Sequence, residues 1–170
     1  MKKRHMIIAL LLTLCLLCVG VAPALAGPLT SLRIGDNPSV SLPGPATTVY
    51  GANNGSQYPS SHGVTPAWAL YQENGGYVLE LQDGASLLVN NASMPCLQFN
   101  GDLTLRLNGD SAISYAGLRM GTLVSGDSNS SLTVTGAGTL NCIDPYSTSI
   151  ELKGGDGALT INSGRVICSM

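Results

Sequence analysis

Gly101-Asp102-Leu103-Thr104-Leu105-Arg106-Leu107-Asn108-Gly109 is the stretch whose reading decides the fold. Leu103, Leu105 and Leu107 alternate with Asp102, Thr104 and Arg106, so one face of an extended strand is apolar and the other polar. The phrase recurs as Leu132-Thr133-Val134 and Leu159-Thr160-Ile161, starting 29 and then 27 residues further on. Each copy follows a Gly-Asp pair (Gly101-Asp102, Gly126-Asp127, Gly155-Asp156) and leads to a second apolar stretch at Ile113, Leu140 or Val166. Hairpin meanders place a turn every 8–12 residues or so. A strand-and-turn unit repeating near 28 residues is instead the period of a coiled sheet whose turns stack on one another. The expected fold is all-β: a right-handed parallel β-helix of about three to four coils.

Working outward, each unit should begin with a short strand two of whose side chains share a face. The pairs are Leu97 with Phe99, Leu118 with Met120, and Ile150 with Leu152, which leaves Gln98, Arg119 and Glu151 facing solvent. The regular region opens at Tyr77–Leu81 and Ser86–Val89, so the repeat domain is expected over 75–170. Residues 27–74 read differently, with Pro28, Pro38, Pro43, Pro45, Pro59 and Pro66 among Gly, Ser and Asn. An irregular lead-in is expected there, with strands at Thr30–Ile34 and near Thr47–Tyr50. It serves either as a cap on the coil stack or as a flexible linker; Trp68, Tyr71 and Tyr77 favour packing. Residues 1–26 have the pattern of a signal peptide: Lys2, Lys3 and Arg4, an apolar run from Met6 to Val21, then Ala24-Leu25-Ala26. Cleavage between Ala26 and Gly27 is expected, giving a secreted or cell-surface protein; an uncleaved anchor is the alternative. The apolar run is shorter than the roughly 20 residues that span a bilayer.

After that cleavage 144 of the 170 residues remain, enough for one domain. Five basic residues (Arg33, Arg106, Arg119, Lys153, Arg165) against ten acidic ones leave a charge of −5. No basic patch is available to neutralise phosphates, which excludes nucleic acid as a partner class. Cys96, Cys142 and Cys168 remain. Laying Leu140-Asn141-Cys142 over Val166-Ile167-Cys168 puts Cys142 beside Cys168 at about the 4.8 Å strand spacing. Either a disulfide or a ladder of free thiols acting as small hydrophobes fits that placement.

No catalytic constellation emerges. Lyase chemistry needs a base and a group to stabilise an enolate, and the few Arg and Lys residues stand apart from any dense carboxylate group. Arg119 and Glu151 could lie side by side in adjacent coils, as an exposed ion pair. No paired carboxylates suggest a glycosidase, and His62 alone is available for a Ser-His-Asp arrangement. The cysteines lack the clustered His partners of a zinc site. Calcium suits the chain better: Asp102, Asp127 and Asp156 recur in the turns beside hard oxygen donors. Gly-Asp is also an ordinary turn pair, and these aspartates precede their Leu-Thr at three different offsets. For sugar binding the aromatic pool is Tyr50, Tyr58, Trp68, Tyr71, Tyr115 and Tyr146, most of which are expected to pack in the core or cap.

The repeats at Tyr77–Asn91, 101–110, 132–140 and 159–164 resemble a group of exported β-helix proteins of clostridial and other gut bacteria, described as carbohydrate-binding domain-containing proteins. The resemblance covers about residues 68–170. It implies a β-helix outside the cell, binding acidic polysaccharides such as polygalacturonate with calcium. The leading expectation is therefore an exported carbohydrate-binding or surface adhesion module. A purely structural surface repeat and a polysaccharide lyase-like enzyme are the alternatives. The last residues, Val166-Ile167-Cys168-Ser169-Met170, are apolar and read as a strand. They suggest either a fragment of a longer array or end-to-end self-association.

Overall fold

The computed structural model describes residues 27–58, 65–91, 94–116, 122–143, 148–154 and 157–169. Among them the regular structure is entirely strand, and the chain coils into a parallel β-helix of about three turns. The longest face is a seven-stranded sheet. Its parallel part stacks β5 (Gly76–Leu81), β8 (Asp102–Leu107), β11 (Ser131–Gly136) and β14 (Leu159–Ile161). The second face stacks β6 (Ser86–Val89), β9 (Ser111–Tyr115), β12 (Thr139–Ile143) and β15 (Arg165–Ser169). The third stacks β7 (Leu97–Asn100), β10 (Val124–Gly126) and β13 (Ile150–Leu152).

Register follows the sequence repeat. Leu103 pairs with Leu132 and Leu132 with Leu159; Leu105 pairs with Val134 and Val134 with Ile161. Period-two alternation then places these side chains inward and Thr104, Thr133 and Thr160 outward in a ladder. Leu79, Leu105 and Val134 are fully buried, as are Leu87, Ile113 and Cys142 on the second face. Stacking like on like is what lets a 28-residue unit with few large side chains close a core.

The third face corrects one expectation. In the middle coil its strand is Val124–Gly126, six residues after the expected pair Leu118 and Met120, which lie outside the described residues. Val124 pairs with Leu97 and Ile150, and Gly126 with Phe99 and Leu152. The reason is the distance from strand to turn: β7 runs directly into Gly101-Asp102, and β10 into Asp127 in the same way. Buried Ser130 then ties the two turns, accepting from the Gly101 amide at 3.0 Å. Gly126 sits in tight quarters: a Cβ there would lie 2.7 Å from Cδ2 of Leu152, 3.0 Å from Cβ of Ser130 and 3.1 Å from Cζ of Phe99, so these neighbours would have to shift.

The described residues of 27–74 form four strands: β1 (Ser31–Ile34), β2 (Thr48–Gly51), β3 (Gln57–Tyr58) and β4 (Trp68–Glu73). β1 and β2 fall where strands are expected. All pair antiparallel, β1 on β7, β3 on β2, β2 on β4 and β4 on β5. The β4–β5 turn is Asn74-Gly75, both at positive φ (53° and 82°), the geometry that closes a two-residue hairpin. On the second face Asn53 performs the same task for β6. Its carbonyl accepts from the Leu88 amide at 3.0 Å, and its side chain accepts from the Ser86 amide at 2.9 Å. Every sheet is thus covered at its N-terminal edge, which would otherwise be open for pairing. Trp68, completely buried, anchors the cover and donates its indole N–H to the Ala52 carbonyl at 2.9 Å.

Candidate functional site

The outward surface of the seven-stranded sheet gathers most of the chemistry. Register sets its rows. Tyr58 on β3 faces Tyr50 on β2, which pairs with Ala69 on β4, then Glu80 on β5 and Arg106 on β8. The neighbouring row runs Thr48, Tyr71, Val78, Thr104, Thr133, Thr160. A Cβ on Gly51 would strike the Trp68 ring inside the core, which fixes Tyr50, one residue earlier, on the outside. Tyr50, Tyr58 and Tyr71 are half-buried.

At the centre is a closed polar network. The Tyr71 hydroxyl donates to Oε2 of Glu80 at 2.8 Å and accepts from Nη1 of Arg106 at 2.6 Å. Arg106 also forms a bidentate pair with Glu73, through Nη1 to Oε1 at 3.2 Å and through Nη2 to Oε2, and lies 4.0 Å from Glu80. Its guanidinium sits 5.9 Å from the Tyr71 ring centroid, within cation–π range. Oε1 of Glu80 accepts from Gln82 at 2.9 Å and from Asn108 at 2.8 Å. With two carboxylates and one guanidinium, the network carries a net charge of −1.

These contacts set the protonation states. Partial burial pushes the Tyr71 hydroxyl up to about 12, and the adjoining Glu80 carboxylate adds to the effect. Burial works to raise Glu80 as well, but hydrogen bonds from Tyr71, Gln82 and Asn108 and the Arg106 charge outweigh it, holding the carboxyl below its ordinary range. The hydrogen bonds to Glu73 keep Arg106 charged. At neutral pH Tyr71 therefore holds its proton and Glu80 is ionised. Neither suits the role of base or general acid, which calls for values near the working pH.

Of the three residues expected to hold calcium, Asp102 and Asp127 fall among the described residues. Asp102 opens β8 and is the register partner of Ser131, four residues beyond Asp127. Burial raises its pKa, countered by a hydrogen bond from Ser131. Asp127 lies in the turn after β10 and accepts from Gln98 at 3.4 Å. Asp156 lies outside the described residues, as do Arg119, His62, Tyr146 and Ala26; the Gly27 carbonyl accepts from the Asp102 amide at 2.8 Å. Among the described residues no three Asp, Glu, His or Cys side chains gather as a metal site. Glu151 stacks on Ser125 in register and accepts from Thr122 at 3.0 Å, so its neighbour in the adjacent coil is serine.

Cys142 and Cys168 are register partners, as the alignment anticipates, and both thiols are free. Burial pushes Cys142 up to about 12, with the Cys168 side chain adding to it, and Cys96 to about 12. Of the aromatic pool Trp68 is core, while Tyr115 is half-buried with its hydroxyl donating to the Thr122 carbonyl. Tyr50, Tyr58 and Tyr71 are the ones that reach the outer face. Their signal in the sequence is indirect: laying Tyr77–Leu81 over Leu103–Leu107 pairs Glu80 with Arg106, which points to a shared outward row.

Compared with known protein families, curated proteins and solved structures, the chain matches none.

Proposed function

We propose that this protein is an exported carbohydrate-binding or surface adhesion module, and that the outer face of the seven-stranded sheet is its binding surface. One observation carries the reading. Three half-buried tyrosines, Tyr50, Tyr58 and Tyr71, share a sheet face with Glu80, Gln82, Asn108 and the threonine ladder. Sugars present apolar C–H faces and rings of hydroxyls, and rigid aromatic rings beside fixed polar groups answer both. Strands also hold such groups in place more firmly than loops do. An acidic polysaccharide bound with calcium, the class implied by the resemblance, would approach a net negative chain and would need the cation as a bridge. A purely structural surface repeat is the second reading. It is favoured by the closure of the network, in which Tyr71, Glu80, Arg106 and Glu73 satisfy one another. A lyase-like activity has less support, since the Tyr71 hydroxyl stays protonated at neutral pH.

A glycan array probed with the purified chain, with and without calcium, tests the proposal. Retention of any glycan, weakened on the order of tenfold or more by Tyr50→Ala (the ratio given by loss of about 1.4 kcal/mol), supports the module. Silence across the array in both conditions refutes it and leaves the structural repeat.

A further inference from the structure

We infer that the outer face of the seven-stranded sheet is built for an uncharged polysaccharide laid across the strands, and that it disfavours polyuronates. This rests on the carbohydrate reading above and names the ligand class. The argument begins with charge. Arg106 is the one cation on this face among the described residues, and Glu73 and Glu80 both hold it, Glu73 through two hydrogen bonds. A uronate carboxylate would have to displace a bidentate carboxylate already in place, beside a second one that hydrogen bonds hold ionised. Arg33 is buried on another sheet, where it donates to the Pro95 carbonyl, while Lys153 follows β13 and Arg165 opens β15. Asp102, on the same face as Thr104 and Arg106, adds further negative charge.

What the face does offer suits neutral sugar. Tyr58 and Tyr50 lie directly opposite each other on adjacent strands, and Tyr71 is one strand further on. Glu80 and Arg106 continue the row of Tyr58 and Tyr50, so the series spans four strand spacings, about 19 Å. That is room for a short run of sugar units lying perpendicular to the strands, ring faces against the tyrosines. Glu80, Gln82 and Asn108 present carboxylate and amide oxygens and N–H groups, which can exchange bonds with hydroxyls without a net charge entering the site. A chain along the strands would instead leave the tyrosine row within a residue or two.

The test is affinity electrophoresis of the full chain through gels holding mixed-linkage β-glucan, xylan or polygalacturonate, each with calcium and with chelator. Retardation by a neutral glycan in chelator, at least about tenfold stronger than by polygalacturonate, is expected, the ratio corresponding to about 1.4 kcal/mol. Tyr58→Ala, on the two-residue edge strand, and Tyr50→Ala should each abolish most of that retardation while melting as the parent does; Tyr58→Ala keeps the test valid if Tyr50→Ala unfolds. Glu73→Gln should narrow the discrimination against polygalacturonate. Retardation by polygalacturonate alone would overturn the neutral-ligand inference and leave the carbohydrate reading standing. Retardation by neutral glycan unaffected by the tyrosine changes would overturn the assignment to this face. No retardation in any gel would overturn both readings.

Discussion

At Tyr71 and Glu80 the protonation states couple to stability with opposite signs. Glu80 titrates below its ordinary value in the folded chain. Its contribution is therefore whole above the usual glutamate range and is lost as pH falls through the lowered folded value. Tyr71, raised to about 12 from 10.0, contributes fully below 10 and loses that contribution as pH rises through about 12. Melting followed from acid to alkali should show a plateau that declines on both sides. In Tyr71→Phe the alkaline decline should shrink, because no phenol remains to ionise, and the acid decline should shrink as well because Glu80 loses a donor. Superimposable profiles for parent and variant would mean that the network does not exist in solution. The cysteines give a second residue-scale prediction. Native protein should react with a thiol reagent at the exposed Cys168, while buried Cys96 and Cys142, both pushed to about 12, react only in denaturant. Absence of any reaction at Cys168 would show that it is bonded to Cys142.

Among elements, the stacked strands should be intolerant on one face and permissive on the other. Val134 is fully buried between Leu105 and Ile161 in register. Val134→Asp buries an unpaired charge and should cost several kcal/mol, on the order of 3 or more, seen as loss of the cooperative thermal transition. Thr133→Val, one residue away on the outer face, should change stability by no more than about 0.5 kcal/mol. An unchanged melt for Val134→Asp would contradict the inward column. The turns carry their own constraint. A Cβ on Gly138 would lie 1.9 Å from the backbone oxygen of Gly109, one coil earlier. Gly138→Ala must push two stacked turns apart, and its cost should be about 1–3 kcal/mol, read from the denaturation midpoint. The columns were legible because two periods coincide: alternation of two within strands, and a repeat near 28 between them. The position of β10 was not, because Leu118/Met120 and Val124/Gly126 are both spaced two apart, and only the turn that follows separates them. Antiparallel pairing of 27–74 was equally hidden, since it depends on partners such as Phe99 for Leu32, which no local pattern relates. The Tyr71–Arg106 contact joins residues 35 apart and becomes visible only once the register of β5 on β8 is known.

For the whole molecule, the two ends of the coil differ. At the N-terminal side every sheet edge is covered by β1, β4 or Asn53. At the other side β13, β14 and β15 are each paired on one edge only among the described residues. Leu159 and Ile161, in register with the buried column, are 45% and 49% exposed because no described residue stacks on them. They line a shallow apolar recess with Ile150, Val166 and Cys168. In a solenoid each coil is stabilised by its neighbours, so opening free energy should grade along the axis instead of being uniform. Hydrogen exchange is expected to be fastest in β14 and β15, slower in β11 and β12, and slowest in β8 and β5, which lie furthest from that end. Strands β1 and β4 should protect nearly as well as β7 and β5, because they close the same core around Trp68. Fast exchange in β1–β4 with slow exchange in β8 would show that residues 27–74 are a detachable linker, not a cap. Equal protection from β5 through β15 would mean that the open end is covered in solution, and Leu159→Lys should then speed exchange in β14 and β15 while leaving β5 unchanged.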